Sequence, residues 1–306
     1  MIYRKFVRPI ISRLRPRQVQ MATLKVLDVL QHFVLTRKLV KLIYGRQNSI
    51  LRTEVMGIMF PNPIGLAAGF DRNARFCDEI SEVGFGYVEV GPITPKPEKE
   101  PEIANKGLFS TVDNLRDIKP KTLVAANITH NSFTPDEEIV ADYDKCFALL
   151  YDFADMFVIN ASISYNYKRS PLEDPETLSD VMDVILERRL TMDRFKPVLI
   201  KISPDIPADQ LEPILSYSMA SGVDGIVAGD VYRNNEKQFA KNLALVRRIK
   251  EFTKGRLDII GCGGILSPAD AREMIDAGAS LVELYSGIFY EGPVLVRKTL
   301  NYLEHN

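Results

Sequence analysis

From residue 54 onward, short apolar runs rich in β-branched residues alternate with longer segments of helical periodicity. Eight runs have the length and composition of buried strands: Pro63–Phe70, Tyr87–Ile93, Thr122–Ile128, Met156–Ser162, Pro197–Ser203, Gly225–Asp230, Asp258–Ile265 and Leu281–Gly287. Seven segments have helical periodicity: Ala74–Val83, Pro135–Phe153, Pro175–Arg189, Ala208–Ser221, Gln238–Thr253, Pro268–Ala277 and Pro293–Leu303. This alternation predicts parallel strands joined by helices.

The number of units favours one architecture over another. Eight strand-helix units in about 250 residues predict a closed (β/α)₈ TIM barrel of the α/β class rather than an open doubly wound sheet. The stretch Pro95–Pro120 is irregular, being rich in Pro, Lys and Glu with only a short helical pattern. We expect it to form a loop over the mouth of the barrel.

Residues 1–52 differ sharply in charge from the rest of the chain. They contain twelve basic residues and one acidic residue, Asp28, whereas residues 53–306 contain 27 basic and 39 acidic residues. Apolar residues recur between the cations at nearly helical spacing, which predicts one or two basic amphipathic helices. We therefore expect two parts, a helical extension at 1–52 and the barrel at 53–306.

Three partners are conceivable for the basic extension. It could lie on an anionic membrane surface, where each nearby cation contributes about 1 kcal/mol. It could equally pack on its own barrel or on a second subunit. Nucleic acid is the least favoured partner, because the extension has no zinc-finger or helix-turn-helix signature and the acidic body would repel phosphate.

The overall composition excludes several classes of protein. With 306 residues, 46% hydrophobic and 26% charged, the chain is typical of a soluble globular protein and not of a disordered or fibrous one. Three widely spaced cysteines suggest neither a disulfide framework nor a metal site, which fits a reducing cytosolic setting. No apolar run reaches the roughly 18 residues needed for a membrane span. Together with the basic extension, this predicts a cytoplasmic protein, peripheral on the inner face of the membrane.

Small and polar residues replace apolar ones at the carboxyl ends of the predicted strands, where a barrel of this kind carries its chemistry. Gly263 and Gly264 follow the seventh strand, and Tyr285 and Ser286 follow the eighth. Glycine turns at these two positions are typical of a phosphate site, since backbone N–H groups can approach the anion closely. The alternative is a pair of tight turns without a ligand.

Lys201 ends the fifth strand among apolar neighbours, so its buried cation needs an electron-rich partner. The edge of a flavin ring would provide one, and the amides of Asn127 and Asn160 could reach the same ring. An internal ion pair with a barrel carboxylate such as Glu89 is the alternative. His130, just beyond the third strand, is expected in a surface loop.

Four motifs resemble the dihydroorotate dehydrogenase family, and the likeness spans nearly the whole chain: Pro63–Asp71, Gly84–Gly91, Ile260–Ile265 and Ala277–Gly287. The basic extension is similar to that of the membrane-associated, quinone-reducing class. The resemblance implies flavin mononucleotide (FMN) on the barrel, a quinone acceptor reached between the amphipathic helices, and oxidation of dihydroorotate to orotate. Carried over by position, the FMN-binding residues would be Ala68, Gly69, Asn127, Asn160, Lys201, Gly263, Gly264, Tyr285 and Ser286.

The substrate half of the resemblance contains substitutions. The family uses a Ser base, or Cys in the soluble class, on the loop after strand four; ungapped alignment places Ile163 there, and a one-residue slip offers Ser164. Ser164 and Lys201 are therefore the predicted catalytic residues. Arg72, Asn160 and Asp230 are the predicted substrate-binding residues, although Asp230 would face an anionic orotate with like charge. A relative acting on another substrate and a catalytically inactive scaffold are the alternatives.

The charge of the extension leads to a direct test. Deletion of residues 1–46 should abolish binding to vesicles containing anionic lipid, because most of the basic residues are removed. Cosedimentation at low and high salt measures this, and binding by the full chain should weaken as salt screens the charges. Neutral vesicles serve as the control, and undiminished binding by the shortened chain would assign the contact to the barrel.

Overall fold

The computed structural model describes residues 22–25, 27–28, 40, 42, 44–45, 49–100, 103–118, 120–162, 170–230 and 236–305. Within these residues there are ten strands: β1 Thr53–Val55, β2 Ile58–Phe60, β3 Ile64–Leu66, β4 Tyr87–Ile93, β5 Leu123–Ile128, β6 Met156–Asn160, β7 Val198–Ile202, β8 Gly225–Ala228, β9 Asp258–Cys262 and β10 Leu281–Leu284. β3 to β10 are hydrogen-bonded in chain order, and β10 pairs with β3. All of these pairs are parallel, so the predicted closed barrel is confirmed.

Helices cover the outside of the barrel and follow the strands in the predicted order. They are α1 Cys77–Ser81, α2 Leu108–Arg116, α3 Ile139–Leu150, α4 Pro175–Leu190, α5 Ala208–Ser221, α6 Glu236–Thr253, α7 Pro268–Asp276, α8 Ser286–Glu291 and α9 Val294–His305. Their apolar faces pack on the outward-facing strand residues in one large core. Short 3₁₀ turns at Ser49–Leu51, Asp136–Glu138 and Pro171–Glu173 complete the described elements.

A second, smaller core fills the barrel lumen. It consists of inward-facing strand residues such as Tyr87, Val158 and Leu199, which alternate with the outward-facing ones. The antiparallel hairpin β1–β2, which the sequence pattern did not predict, adds Val55, Met56 and Phe60 to this core. The Phe60 ring meets the Tyr87 ring edge to face at 5.4 Å. The hairpin therefore closes the lumen at the end opposite the mouth.

Several predicted elements are too long because turns begin inside the apolar runs. The first strand ends at Leu66 rather than Phe70, since the chain turns at Gly69, where φ is +95°. The first helix starts at Cys77 rather than Ala74, because the buried Asp71 carboxylate binds backbone N–H groups as far as Phe76 and holds this stretch in a turn.

The connection between β4 and β5 lies over the barrel mouth as predicted, but it also contains the helix α2. Glu98 anchors it: its carboxylate accepts N–H bonds from Lys99, Glu100 and Ser132 at 2.7–3.0 Å, and Ser132 lies beyond the carboxyl end of β5. Burial raises the pKa of Glu98, but these backbone hydrogen bonds hold it below its usual range.

The described part of the basic extension is helical at residues 22–25, 27–28, 40, 42 and 44. Leu24 and Leu27 pack against the barrel core, and Asp28 forms an ion pair with Arg75. Leu42, in contrast, is 82% exposed. The extension therefore contacts its own barrel while leaving apolar surface uncovered. The boundary at residue 52 stays a prediction. Within the described residues, no helix has both the length and the apolar character needed to cross a membrane.

Candidate functional site

The carboxyl ends of the parallel strands form one rim, and this rim collects the polar residues predicted from the sequence. Asn160 ends β6, and Asn127 and Lys201 are the next-to-last residues of β5 and β7; all three point into the barrel and are at most 4% exposed. Because these strands are hydrogen-bonded neighbours, the three side chains are adjacent. The rim therefore brings these three predicted residues together, and their role as one binding site stays a prediction.

Lys201 is bound to a carboxylate inside the barrel. Its Nζ lies 2.9 Å from Oε2 and 3.3 Å from Oε1 of Glu89, which is fully buried. Burial lowers the pKa of Lys201, but the charge of Glu89 holds it well above its usual range. The structure thus contains the internal ion pair, which was one of the two interpretations of Lys201. Any contact with a ring edge must be made by the remaining N–H of the ammonium.

Two amides extend this ion pair along the rim. Asn127 Nδ2 donates to Glu89 Oε1 at 2.5 Å, and Asn160 Nδ2 donates to Asn127 Oδ1 at 2.9 Å. Ser162 donates to Asn160 Oδ1 from both its backbone N–H and its hydroxyl. This order fixes the amide orientations, and among the described residues one N–H of each asparagine has no acceptor and could bind a ligand.

His130 is not in a surface loop, contrary to the sequence expectation. It is 4% exposed, and its Nδ1 lies 3.5 Å from the hydroxyl of Tyr143, which donates to the Asn160 carbonyl at 3.1 Å. Burial lowers the pKa of His130 to about 4, so the ring is neutral at physiological pH. The chain turns inward after β5, and the imidazole supports the rim from behind.

The glycine turns after β9 and β10 contact each other. A Cβ at Gly287 would lie 2.5 Å from the carbonyl oxygen of Ile265, so the second turn packs directly on the first. Gly263 and Gly264 have φ values of +87° and +79°, and side chains there would collide with the backbone at Asp230 and Phe239. Only glycine suits both positions.

These turns expose donors without acceptors. In the described parts of the chain, no group accepts a hydrogen bond from the backbone N–H of Gly263, Gly264, Ser286 or Gly287. Gly263, Ser286 and Gly287 are buried. Buried N–H groups are normally paired, so a cluster of open ones calls for an external acceptor, and an anion is the best match. The arrangement fits a phosphate better than a pair of ligand-free turns.

The open N–H groups of Gly263, Gly264, Ser286 and Gly287 form an N–H cradle, and Tyr285 connects it to the turn after β3. A Cβ at Gly69 would lie 3.5 Å from Cε2 of Tyr285, whose ring meets Phe289 edge to face at 5.3 Å. Burial raises the pKa of Tyr285, Arg72 lowers it and Asp230 raises it. Arg72 and Asp230, two of the three predicted substrate-binding residues, are therefore close enough to Tyr285 to act on it electrostatically.

Arg72 and Asp230 are held by contacts that the sequence did not indicate. Arg72 donates from Nε to the carbonyl of Gly69 and from Nη1 to that of Ala104, both at 3.3 Å, and so joins two rim loops. The buried amide of Asn242 bonds both the N–H and the carbonyl of Asp230, at 3.4 and 3.3 Å. The sequence signal that could have indicated the contact with Asp230 was a polar Asn242 among the apolar positions of the amphipathic helix α6, which the structure buries fully. Ser164 and Ile163 lie outside the described residues.

The sequence model of the family described as dihydroorotate dehydrogenase matches residues 50–106 and 101–306. The chain belongs to the dihydroorotate dehydrogenase family. A dihydroorotate dehydrogenase (quinone) of Christiangramia forsetii is 32% identical over 330 residues, which cover 97% of both chains. One of Coxiella burnetii is 32% identical over 99% of this chain and 97% of its own. Both relatives carry the name of the quinone-reducing class, which the basic extension of this chain resembles.

Solved structures of the family agree with the fold. The crystal structure of DHODH from Eimeria tenella in complex with ferulenol superposes with a TM-score of 0.77 and 24% identity, covering 88% of this chain and 90% of that one. The ligand-free structure from the same organism has the same TM-score at 23% identity. At this level of identity, the likeness supports the architecture alone.

The ion pair at the rim leads to a stability prediction. Lys201→Met should lower the free energy of unfolding by about 3–5 kcal/mol, because it leaves Glu89 buried without a counter-charge. Urea denaturation measures this. The double variant Lys201→Met with Glu89→Gln should recover much of the loss, since no uncompensated charge remains. A double variant no more stable than Lys201→Met would show that charge pairing is not what Lys201 contributes.

Proposed function

We propose that this protein binds FMN at the barrel mouth, oxidises dihydroorotate to orotate and passes the electrons to a quinone. The observation that carries the proposal is the open N–H cradle beside a row of ammonium and amide donors, in a chain that belongs to this family over most of its length. No relative reported above is named for another substrate or for a non-catalytic role, so the two alternatives gain no support.

The residues present suit FMN in particular. The phosphate of FMN is an anion and needs hydrogen-bond donors. The backbone N–H groups of Gly263, Gly264 and Ser286 can supply them. Its ring edge carries carbonyl and nitrogen acceptors, which suit the free N–H groups of Lys201, Asn127 and Asn160. Ala68 and Gly69 would line the ring, and Tyr285 would lie beside the phosphate. When bound, the flavin supplies the acceptor for the hydride that leaves the substrate.

The substrate would lie between the ring and the loops above it. The Arg72 guanidinium can bind a carboxylate and is already oriented by Gly69 and Ala104. Asn160 would contribute its free amide N–H. Asp230 would add a carboxylate to the mouth besides that of the substrate. It would accept a hydrogen bond from a substrate N–H and would not face the substrate carboxylate. Ser164 would take the proton from the carbon next to the one that loses hydride.

The electron acceptor would approach the protein at the basic extension. Its cations favour an anionic membrane surface, and Leu42 presents apolar surface in the described part of this segment. A quinone dissolved in lipid would then reach the barrel from that side. We accordingly propose a cytoplasmic protein, peripheral on the inner face of the membrane.

Anaerobic reduction of the flavin tests the reaction. Dihydroorotate should bleach the absorbance of the FMN-loaded protein in stopped flow, and Ser164→Ala should slow this step by about 10²–10⁴-fold while FMN stays bound, because the base is lost. Ser179→Ala, on an outer helix, is the matched control. Riboflavin, which lacks the phosphate, should bind more weakly than FMN.

The outcomes separate the parts of this proposal. Bound FMN that dihydroorotate never bleaches would refute the reaction but not the cofactor. Normal bleaching in Ser164→Ala would refute Ser164 as the base, and equal affinity for riboflavin and FMN would refute the phosphate cradle.

A further inference from the structure

The barrel lumen holds two carboxyl groups and one ammonium group. Glu283 on β10 and Glu89 on β4 both have side chains with 0% exposure, and that of Lys201 is 4% exposed. Lys201 Nζ lies 2.9 Å from Glu89 but 3.7 Å from Glu283, beyond hydrogen-bond distance. Among the described residues, no other basic side chain forms an ion pair with either carboxyl.

The surroundings of the two carboxyls differ. Glu89 accepts hydrogen bonds from Ala68 N, Asn127 Nδ2 and Lys201 Nζ. Neither oxygen of Glu283 accepts a hydrogen bond from a described donor, and the titratable groups that face it are Glu89 and Tyr87 on β4, Lys201 on β7 and Cys262 on β9. Only one of these four can offset a negative charge.

Charge balance then requires a proton. Two ionised carboxylates against one ammonium would leave a net negative charge in a lumen without water access, which is strongly unfavourable. Because Glu89 has the donors, Glu283 is the group that stays protonated. The pKa values agree in direction: burial and the charge of Glu89 raise that of Glu283 well above its usual range. Burial raises the pKa of Glu89, but the charge of Lys201 and the hydrogen bond from Asn127 hold it below its usual range.

We infer that Glu283 is a neutral acid that keeps its proton while Glu89 is ionised, and that it acts as a positioning residue by limiting the charge opposite Lys201 to a single carboxylate. The second half of this inference rests on the proposed function, in which Lys201 faces the flavin ring edge. With Glu283 neutral, Lys201 and Glu89 form a pair without net charge, and in the proposed function the ammonium of that pair faces the ring edge. With Glu283 ionised, the lumen would oppose reduction of the ring.

Infrared spectroscopy tests the proton without any flavin. At neutral pH the protein should show the C=O stretching band of a protonated carboxyl, and Glu283→Gln should remove it. Glu89→Gln should remove it too, because Glu283 would then ionise to pair with Lys201. Glu98→Gln is the matched control: Glu98 is buried but ionised, so the band should remain. A band that survives in Glu283→Gln, or its absence from the wild type, would overturn the inference.

The midpoint potential of bound FMN tests the second half. In Glu283→Gln the equilibrium constant for flavin reduction should change by less than about twofold, because one neutral group replaces another. A shift of more than about tenfold toward reduced flavin would show that an ionised carboxylate had been removed, and would overturn the inference. A protein that binds no FMN would refute the proposed function, while the infrared result would still decide the protonation of Glu283.

Discussion

The ammonium of Lys201 lies inside the barrel, and the architecture of the rim follows from how its charge is balanced. An uncompensated cation would be strongly unfavourable there, so Glu89 is placed opposite it on β4. The backbone N–H of Ala68 and the amide of Asn127 bind the same carboxylate, and Asn160 binds Asn127. One charge pair thus orders polar groups on five strands or strand ends, and it leaves their free N–H groups facing the mouth.

Close backbone approach is the second constraint, and it operates at the other side of the rim. Gly263 meets the carbonyl of Asp230, and Gly287 meets that of Ile265. Side chains at these positions would separate the ends of three consecutive strands. Because the turns are so close, their N–H groups converge on one small region, which is the requirement for holding a phosphate. In the proposed function, the lumen pair would lie on the ring side of the mouth and the glycine turns on its phosphate side.

Much of this could be predicted from the chain alone. The apolar alternation of β4 to β10 depends on local periodicity, and so their order and approximate bounds were predictable. The rim positions of Asn127, Asn160 and Lys201 followed from the rule that parallel strands end together. The hairpin at Thr53–Phe60 was missed because three-residue strands carry too little pattern, and Ala74 was assigned to a helix because a capping carboxylate at Asp71 is indistinguishable from any other acidic residue in a sequence.

The barrel, the order of its units, the change in charge at residue 52 and the glycine turns could all be inferred from the chain, because each depends on residues near one another in it. The partner of Lys201, the burial of His130 and the contacts of Asn242 with Asp230 emerge only from the folded structure. It also decided that Glu283 shares the lumen with Glu89, 194 positions earlier in the chain. The protonation of a carboxyl depends on the charges and water around it, and only closure of the barrel brings those together.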